Sequence, residues 1–532
     1  MNTELPFLSG RQPVLGRNIV ATSQPLAAQA GAAVFARGGN AIDAALAAAI
    51  TLTVVEPVMN GIGGDAFALV WDGTSLHGLN ASGLSPEGWN SGRFLDRELM
   101  PQRGWDSVTV PGQVAGWAAL SKRFGKLPFG DLFQDAIRHA RDGFPVSPVI
   151  ARQWAVTPTE VTCQPGFREA FLPAGRAPAA GEIWRFVAQA ETLEDIARTG
   201  GESFYHGALA KKMVDFAKEC GGSLTSLDLA RNESEWVAPI STQFRGHEVH
   251  EIPPNGQGLA ALIALGLLEN LPYDDAAVGS AQRMHLEIEA MRLAFADLHA
   301  HVADPRTMRY SAEELLDPGY LAQRAKQINP HRKGSFSAGK PHSGGTVYLC
   351  AADASGNMVS FIQSNYRGFG SGVVVPGTGI SLHNRGSGFV TTPDHPNQVG
   401  ALKRPLHSII PAFLTREGRP VMAFGVMGGN MQAQGHVQMV LRTVVDGHNP
   451  QAASDAPRWR INDAATLTVE PTVASAVVEG LRDLGHSPEV LPFGNLEFGS
   501  AQLVQCLPEE SSNGVAYVAG SDFRRDGLAI AC

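Results

Sequence analysis

Apolar and polar positions along the chain follow two periods, and the change of period divides it. Residues 16–22, with Ile19-Val20-Ala21 at their centre, read as a strand. From Pro25 the spacing turns helical, with Leu26, Ala30, Ala33 and Val34 on one stripe, and Gly38-Gly39 stops it. Asn40 is then the N-cap of a helix over 41–55 that is apolar nearly all round and so predicted to be buried. The glycine loop Gly61-Ile62-Gly63-Gly64-Asp65 leads into a strand over 66–71 with a hairpin return over 76–79. Residues 105–345 read as mainly helical, with helices over 112–124, 129–143, 192–199, 207–220, 257–271 and 280–301. From Thr346 the period is two: strands over 346–353 and 358–363 flank the turn Ala354-Ser355-Gly356-Asn357. Further strands are predicted over 373–375 and 380–383, a second hairpin over 412–425, a helix over 432–445 after Gly428-Gly429, and an αβ stretch over 450–532. Residues 1–17 read as a loose polar lead-in and 330–343 as an exposed loop.

Composition narrows the class. The chain has 532 residues, 44% hydrophobic and 17% charged, enough for a sizeable core and against overall disorder. The net charge of −9, without a basic run, argues against a nucleic-acid partner. Five widely spaced cysteines without a CxxC suit a reducing compartment rather than a disulfide framework or zinc site. The first residues lack a basic and apolar leader, and the longest apolar run is too short for a bilayer, so a soluble cytoplasmic protein without membrane partner is expected.

Candidate chemistry is sparse. Gly61–Asp65 precedes a strand, whereas a phosphate cradle opens a helix; close backbone packing or an active-site wall is the expectation. His285, Glu287, Glu289, Asp297 and His299 share one helix without an HExxH pattern and read as a solvated face with one satisfied histidine. Gly-Phe-Gly-Ser-Gly at 368–372 does not fit a serine-elbow frame, and Cys350 reads as a buried, inert thiol. Thr346 differs. Cleavage before it would place a hydroxyl and a new α-amine, with a pKa near ~8, on one residue. Gly345 has no Cβ to obstruct attack on its carbonyl. Locally, an ordinary strand threonine remains the simpler reading.

Six motifs in order change that weighting: Gly38-Gly39-Asn40-Ala41-Ile42-Asp43-Ala44, Gly61–Asp65, Val110-Pro111-Gly112-Gln113-Val114-Ala115-Gly116, Ala140-Arg141-Asp142-Gly143-Phe144, Pro254-Asn255-Gly256 and Ala456-Pro457-Arg458. Together they resemble the γ-glutamyltransferase (glutathione hydrolase) family of N-terminal-nucleophile hydrolases, and within it the cytoplasmic γ-glutamyltransferase-like branch. The resemblance implies a four-layer αββα fold, mainly helical before and β-rich after Thr346, and no cofactor or metal. It implies a proenzyme cut between Gly345 and Thr346 into a large subunit, 1–345, and a small one, 346–532. These would stay together as a heterodimer, with (αβ)2 assembly open. Thr346 matches the nucleophile, Ser364 a second hydroxyl beside it, and Gly428 and Gly429 the oxyanion hole.

The substrate positions depart from the family. Segment 80–86 lacks the family's arginine, and Gly388 replaces an aspartate that binds the substrate amine. Arg385, Tyr366 and the pair His407-Ser408 stand where the family has glutamine, asparagine and two serines. Arg385 suits a bidentate carboxylate contact, with a structural salt bridge as the alternative. The expected activity is transfer or hydrolysis of a γ-glutamyl group from amides such as glutathione. The alternatives are an acylase on another carboxylate-bearing amide, of glutaryl-cephalosporin or oxamate type, and a catalytically silent scaffold.

Overall fold

The computed structural model describes residues 11–94, 96–336, 345–462, 464–508 and 514–532. Residues 1–10 of the expected lead-in, and 337–343 of the expected loop, lie outside the described residues, as does Gly344. Two antiparallel seven-stranded sheets face each other. The first runs in the order Val14–Gly16, Tyr517–Ser521, Ser500–Cys506, Arg419–Met427, Ala412–Arg416, His247–Glu251, Ile240–Phe244. The second runs Leu528–Ala531, Ile19–Thr22, Gly345–Ala352, Met358–Tyr366, Asp65–Trp71, Leu76–Ala81, Glu235–Val237. Helices cover both outer faces, completing the four-layer αββα arrangement.

The central helices are where the pattern placed them. Ala41–Val55 is buried along its whole length and packs on the strands Gly345–Ala352 and Met358–Tyr366. Asn40 and Asp43 form a reciprocal capping box at its start, at 3.0 and 3.1 Å. On the opposite face, Gly258–Glu269 and Met431–Val440 lie against the first sheet, the latter on Arg419–Met427. The two sheets meet where the Tyr348 ring lies over Gly425: a Cβ at 425 would stand 2.4 Å from that ring. Among the described residues no helix is long and apolar enough to cross a membrane.

Three readings need correction. Val14–Gly16, expected in a loose lead-in, is an edge strand paired with Tyr517–Ser521. The segment expected to be mainly helical contains Glu235–Val237, Ile240–Phe244 and His247–Glu251, which supply outer strands to both sheets. Their half-buried or exposed polar positions (Ser241, Thr242, Gln243, His247) mask the alternation that central strands show. The helix Ala281–His301 does not present its polar groups to solvent. His285, Glu289 and Asp297 are buried and satisfied by protein partners: His285 by His486 at 2.7 Å and the Asn329 carbonyl at 2.9 Å, Glu289 by the Gly334 N–H at 2.5 Å and by Arg292 of the same helix at 2.7 Å, Asp297 by Tyr320 at 3.0 Å.

The motif Ala456-Pro457-Arg458 enters a buried charge network. Arg458 pairs with Asp522 at 2.5 Å, and Arg524 with Glu470 at 2.6 Å and Asp522 at 3.2 Å. Burial opposes ionisation of Asp522, but the Arg458 and Arg524 guanidiniums outweigh it and hold the carboxyl down to about 2. A carboxyl whose folded value lies below its unfolded one (about 3.9) stabilises above the unfolded value and loses that stabilisation as pH falls toward the folded one. Asp522→Asn should therefore destabilise by about 3 kcal/mol at neutral pH. In urea unfolding, the gap between wild type and variant should narrow as the pH falls from 4 toward about 2.

Candidate active site

Thr346 stands at the head of the strand Gly345–Ala352, 1% exposed. The ladder with Met358–Tyr366 shifts register between Gly345 and Val347, opposite Ser364 and Asn365. Such a bulge lifts a residue out of regular pairing and re-aims its side chain. Tyr366, at the end of the bulge, takes a left-handed conformation (φ 77°), a strained geometry for a residue with a bulky side chain. The Thr346 hydroxyl is 3.5 Å from Ser364 Oγ, which accepts from the Tyr366 N–H at 2.7 Å. Gln432 Nε2 donates to Thr346 Oγ1 at 3.0 Å, while Gln432 Oε1 accepts from the Ile410 N–H at 3.0 Å.

Gly428 and Gly429 turn the chain from strand Arg419–Met427 into helix Met431–Val440, at φ 125° and 62°. Neither backbone N–H has an acceptor among the described residues. Two free amides at a helix N-terminus suit a developing oxyanion. Gln257 fixes this turn from behind, donating to the Gly429 carbonyl at 2.9 Å and to the Ser408 carbonyl.

Beside the turn is a cavity of about 180 Å³ whose lining includes Tyr366, Gly388, His407, Ser408 and Asn430. Arg385 lies behind this lining, 2% exposed: Nη1 donates to Ser408 Oγ at 2.8 Å, and the guanidinium sits 4.7 Å above the Tyr366 ring. Its Nε and Nη2 have no acceptor among the described residues, and no carboxylate there is within ion-pair distance. The structural salt bridge considered for Arg385 is thus not formed. The nearest compensating charge is Asp65, which accepts from His407 Nε2–H at 3.1 Å and the Gly112 N–H at 2.9 Å. Burial pushes the Asp65 carboxyl up to about 7 against the pull of Arg385. Burial and Arg385 together hold His407 well below the usual histidine range, and His383 at about 3. Burial lowers Arg385 only to about 10, so it stays a cation at neutral pH, flanked by neutral imidazoles, and Arg404 also acts on Asp65 and His407.

The structure therefore brings Thr346, Ser364, Tyr366, Arg385, His407, Ser408, Gly428 and Gly429 into one connected region. The glycine loop packs closely backbone to backbone: a Cβ on Gly64 would meet the Ser364 carbonyl at 2.8 Å, and one on Gly63 the Ser381 carbonyl at 2.6 Å. Cys350 is buried, its thiol pushed up by burial. Sequence reasoning missed Gln432, Gln257 and Asp65. The signal for Gln432 was present: Gln432, Gln434, His436 and Gln438 are polar residues in a wholly buried helix, and buried amides need partners. His285, Glu289 and His486 place donor atoms within 4.8 Å of one another, but His285 spends both ring nitrogens, and Glu289 its carboxylate, on protein partners.

Sandwiched sheets, a threonine at a strand head and a free-amide turn facing it define an N-terminal-nucleophile hydrolase. Comparison with known proteins agrees. The gamma-glutamyltranspeptidase family model matches residues 27–532. The chain is 35% identical over 524 residues to the glutathione hydrolase-like YwrD proenzyme of Bacillus subtilis, covering 97% of this chain and 98% of that one. It is 36% identical over 517 residues to the oxamate amidohydrolase proenzyme of Klebsiella pneumoniae, covering 95% and 96%. A cephalosporin acylase structure from Bacillus halodurans superposes with a TM-score of 0.92 at 44% identity, covering 100% and 99%. The chain belongs to the gamma-glutamyltranspeptidase family.

The long-range interaction between Asp65 and Arg385 offers a direct check on the electrostatics. Asp65→Asn removes the carboxyl that partly offsets the buried Arg385 charge and accepts from His407 and the Gly112 N–H, and should destabilise the chain in urea unfolding. Adding Arg385→Met should then cost less than the sum of the two single changes, read as a coupling energy in a urea double-mutant cycle.

Proposed function

We propose that this chain cuts itself before Thr346 and then hydrolyses amides whose acyl half carries a carboxylate but no α-ammonium group, such as a glutaryl or shorter dicarboxylate monoamide. In the first step the Thr346 hydroxyl adds to the Gly345 carbonyl, and collapse of the adduct breaks the Gly345–Thr346 C–N bond and leaves an ester. Water hydrolyses the ester, freeing the Gly345 carboxylate and the Thr346 hydroxyl and α-amine. In turnover the α-amine takes the hydroxyl proton as the oxygen attacks the substrate carbonyl, and returns it to the departing amine. Gly428 and Gly429 N–H groups hold the oxyanion, a contribution of about 3–4 kcal/mol per donor in comparable sites. Water then releases the acid. Residues 1–345 and 346–532 remain together as a heterodimer.

The observation that carries the acyl preference is Gly388. A Cβ there would stand 2.7 Å from the Leu406 carbonyl, so position 388 at the cavity wall has no room for an aspartate that could hold a substrate ammonium. What remains on that side is the positive pole of Arg385, delivered through Ser408. The relatives named as oxamate amidohydrolase and cephalosporin acylase support a carboxylate-bearing acyl group. The relative named as glutathione hydrolase-like supports γ-glutamyl amides as the second reading.

Denaturing electrophoresis should show two pieces, the smaller starting at Thr346 by N-terminal sequencing. Thr346→Ala should stay whole and inactive, and Thr346→Ser should still cut, more slowly. A wild-type chain that stays whole on long incubation would mean a silent scaffold. Glutaryl-4-nitroanilide should be turned over at least tenfold better, in kcat/KM, than γ-glutamyl-4-nitroanilide; the opposite order would overturn the reading of Gly388. Gln432→Leu removes the donor held on Thr346 Oγ1 and should slow both cutting and kcat by about 10–100-fold, the equivalent of one hydrogen bond of 1.5–3 kcal/mol to a charged oxygen.

A further inference from the structure

A cavity of about 190 Å³ shares no lining residue with the one beside the Gly428-Gly429 turn. Its lining draws on both sides of Thr346. Arg292 and Lys333 come from before it, and Thr466, His486 and Ser487 from beyond it. No described carboxylate lines this cavity. Arg292 is anchored through one nitrogen, with Nη1 donating to Glu289 Oε1 at 2.7 Å and to the Gly334 carbonyl at 3.0 Å. Its Nε and Nη2 have no acceptor among the described residues. Glu289, which holds Arg292, also accepts from the Gly334 N–H at 2.5 Å. The Lys333 main chain is fixed by its N–H, which donates to the Leu484 carbonyl at 2.8 Å, while its exposed ammonium pairs with no described carboxylate.

His486 adds a hydrogen-bonding sense to this positive charge. It is 4% exposed and meets His285 Nδ1 through Nε2 at 2.7 Å. The chain of bonds is fixed from its far end. The Asn329 carbonyl only accepts, so His285 donates to it from Nε2 at 2.9 Å, and in an uncharged ring its Nδ1 accepts. His486 is then the Nε2–H donor. Its Nδ1 has no partner among the described residues and is a bare lone pair at a cationic cavity. Burial, and after it the neighbouring His285, Arg292 and Lys333, hold the His486 imidazole at about 3, so it stays uncharged at neutral pH.

Two cationic donors and one acceptor match an anion that still carries a hydrogen. The same cations repel a metal ion from the lone pair. Hydrogen phosphate offers oxygens to the guanidinium fork and the ammonium, and at neutral pH it keeps at least one P–OH. Sulfate has the charge but no hydrogen, and would set an oxygen lone pair against that of His486.

We infer that this cavity is a binding site for hydrogen phosphate, held by Arg292 and Lys333 through its oxygens and by His486 Nδ1 through its hydroxyl. A bound ion joins the segment around Lys333, the helix Ala281–His301 and the loop after the helix Ser475–Asp483. It thereby fastens chain from before Thr346 to chain from beyond it.

Calorimetric titration of the purified chain, at neutral pH and matched ionic strength, compares potassium phosphate with potassium sulfate. Phosphate should bind at least tenfold more tightly and should raise the thermal unfolding midpoint as its concentration rises. His486→Gln places an amide N–H beside an acceptor and should bring sulfate to within threefold of phosphate. Phenyl phosphate, whose dianion has lost its P–OH, should bind wild type no better than sulfate. Lys333→Gln is an exposed change that leaves the Arg292–Glu289 pair in place, and it should weaken phosphate at least fivefold. That variant keeps the test decisive if His486→Gln fails to fold. Phosphate binding that is absent at millimolar concentration, equal to that of sulfate, or unchanged by Lys333→Gln overturns the inference. So does a folded His486→Gln chain that still rejects sulfate.

Discussion

The contact on which the site depends is the packing of Tyr348 on Gly425. Strand Gly345–Ala352 and strand Arg419–Met427 belong to different sheets, and each ends in a piece of the chemistry. Thr346 lies two residues before Tyr348, and Gly428 three after Gly425. Because the ring can lie on a residue without a side chain, the two strands approach closely enough for Gln432 to reach Thr346 Oγ1 at 3.0 Å. Thr346 and the Gly428-Gly429 turn, the proposed nucleophile and oxyanion donors, are thus brought together by core packing. The arrangement is rigid because a protein interior at crystal-like density transmits small displacements to its neighbours.

The central architecture was legible where one period dominates. Ala41–Val55 is apolar on every face and the 345–366 hairpin alternates, and both stand where the pattern put them. Strands such as Ile240–Phe244 were not legible, because an outer strand with half-buried polar positions lacks a clean alternation. The site was legible only through ordered motifs. Thr346 taken alone is a strand threonine, and nothing local marks Gln257, whose role depends on carbonyls far away in sequence, while Gln432 is marked only as one of several buried polar residues in its helix, without its partner. The helix Ala281–His301 shows the opposite error. Charged side chains at many positions read as a solvated surface, yet Asp297 and Glu289 are paired within the protein.

Charge is distributed around the turn in an uneven way. On one side a single arginine acts through a serine hydroxyl, its field moderated by Asp65 and by histidines that burial keeps neutral. On the other, four arginines, Arg103, Arg367, Arg460 and Arg525, line a cavity with one glutamate, Glu497.

The strand order carries a consequence for the integrity of the enzyme. In the second sheet, Leu528–Ala531 is followed by Ile19–Thr22, then by two strands from beyond Thr346, then by three from before it. The first sheet likewise has four strands from beyond Thr346 between strands from before it on both edges. A cut at Gly345–Thr346 would fall at the head of a strand and detach from these ladders only the terminal Gly345, opposite Tyr366. The two polypeptides would then be interleaved within each sheet, with no surface along which they could part as folded bodies. Their dissociation would be the same event as global unfolding, so one covalent bond could be given up to expose an amine without creating a separable pair of subunits.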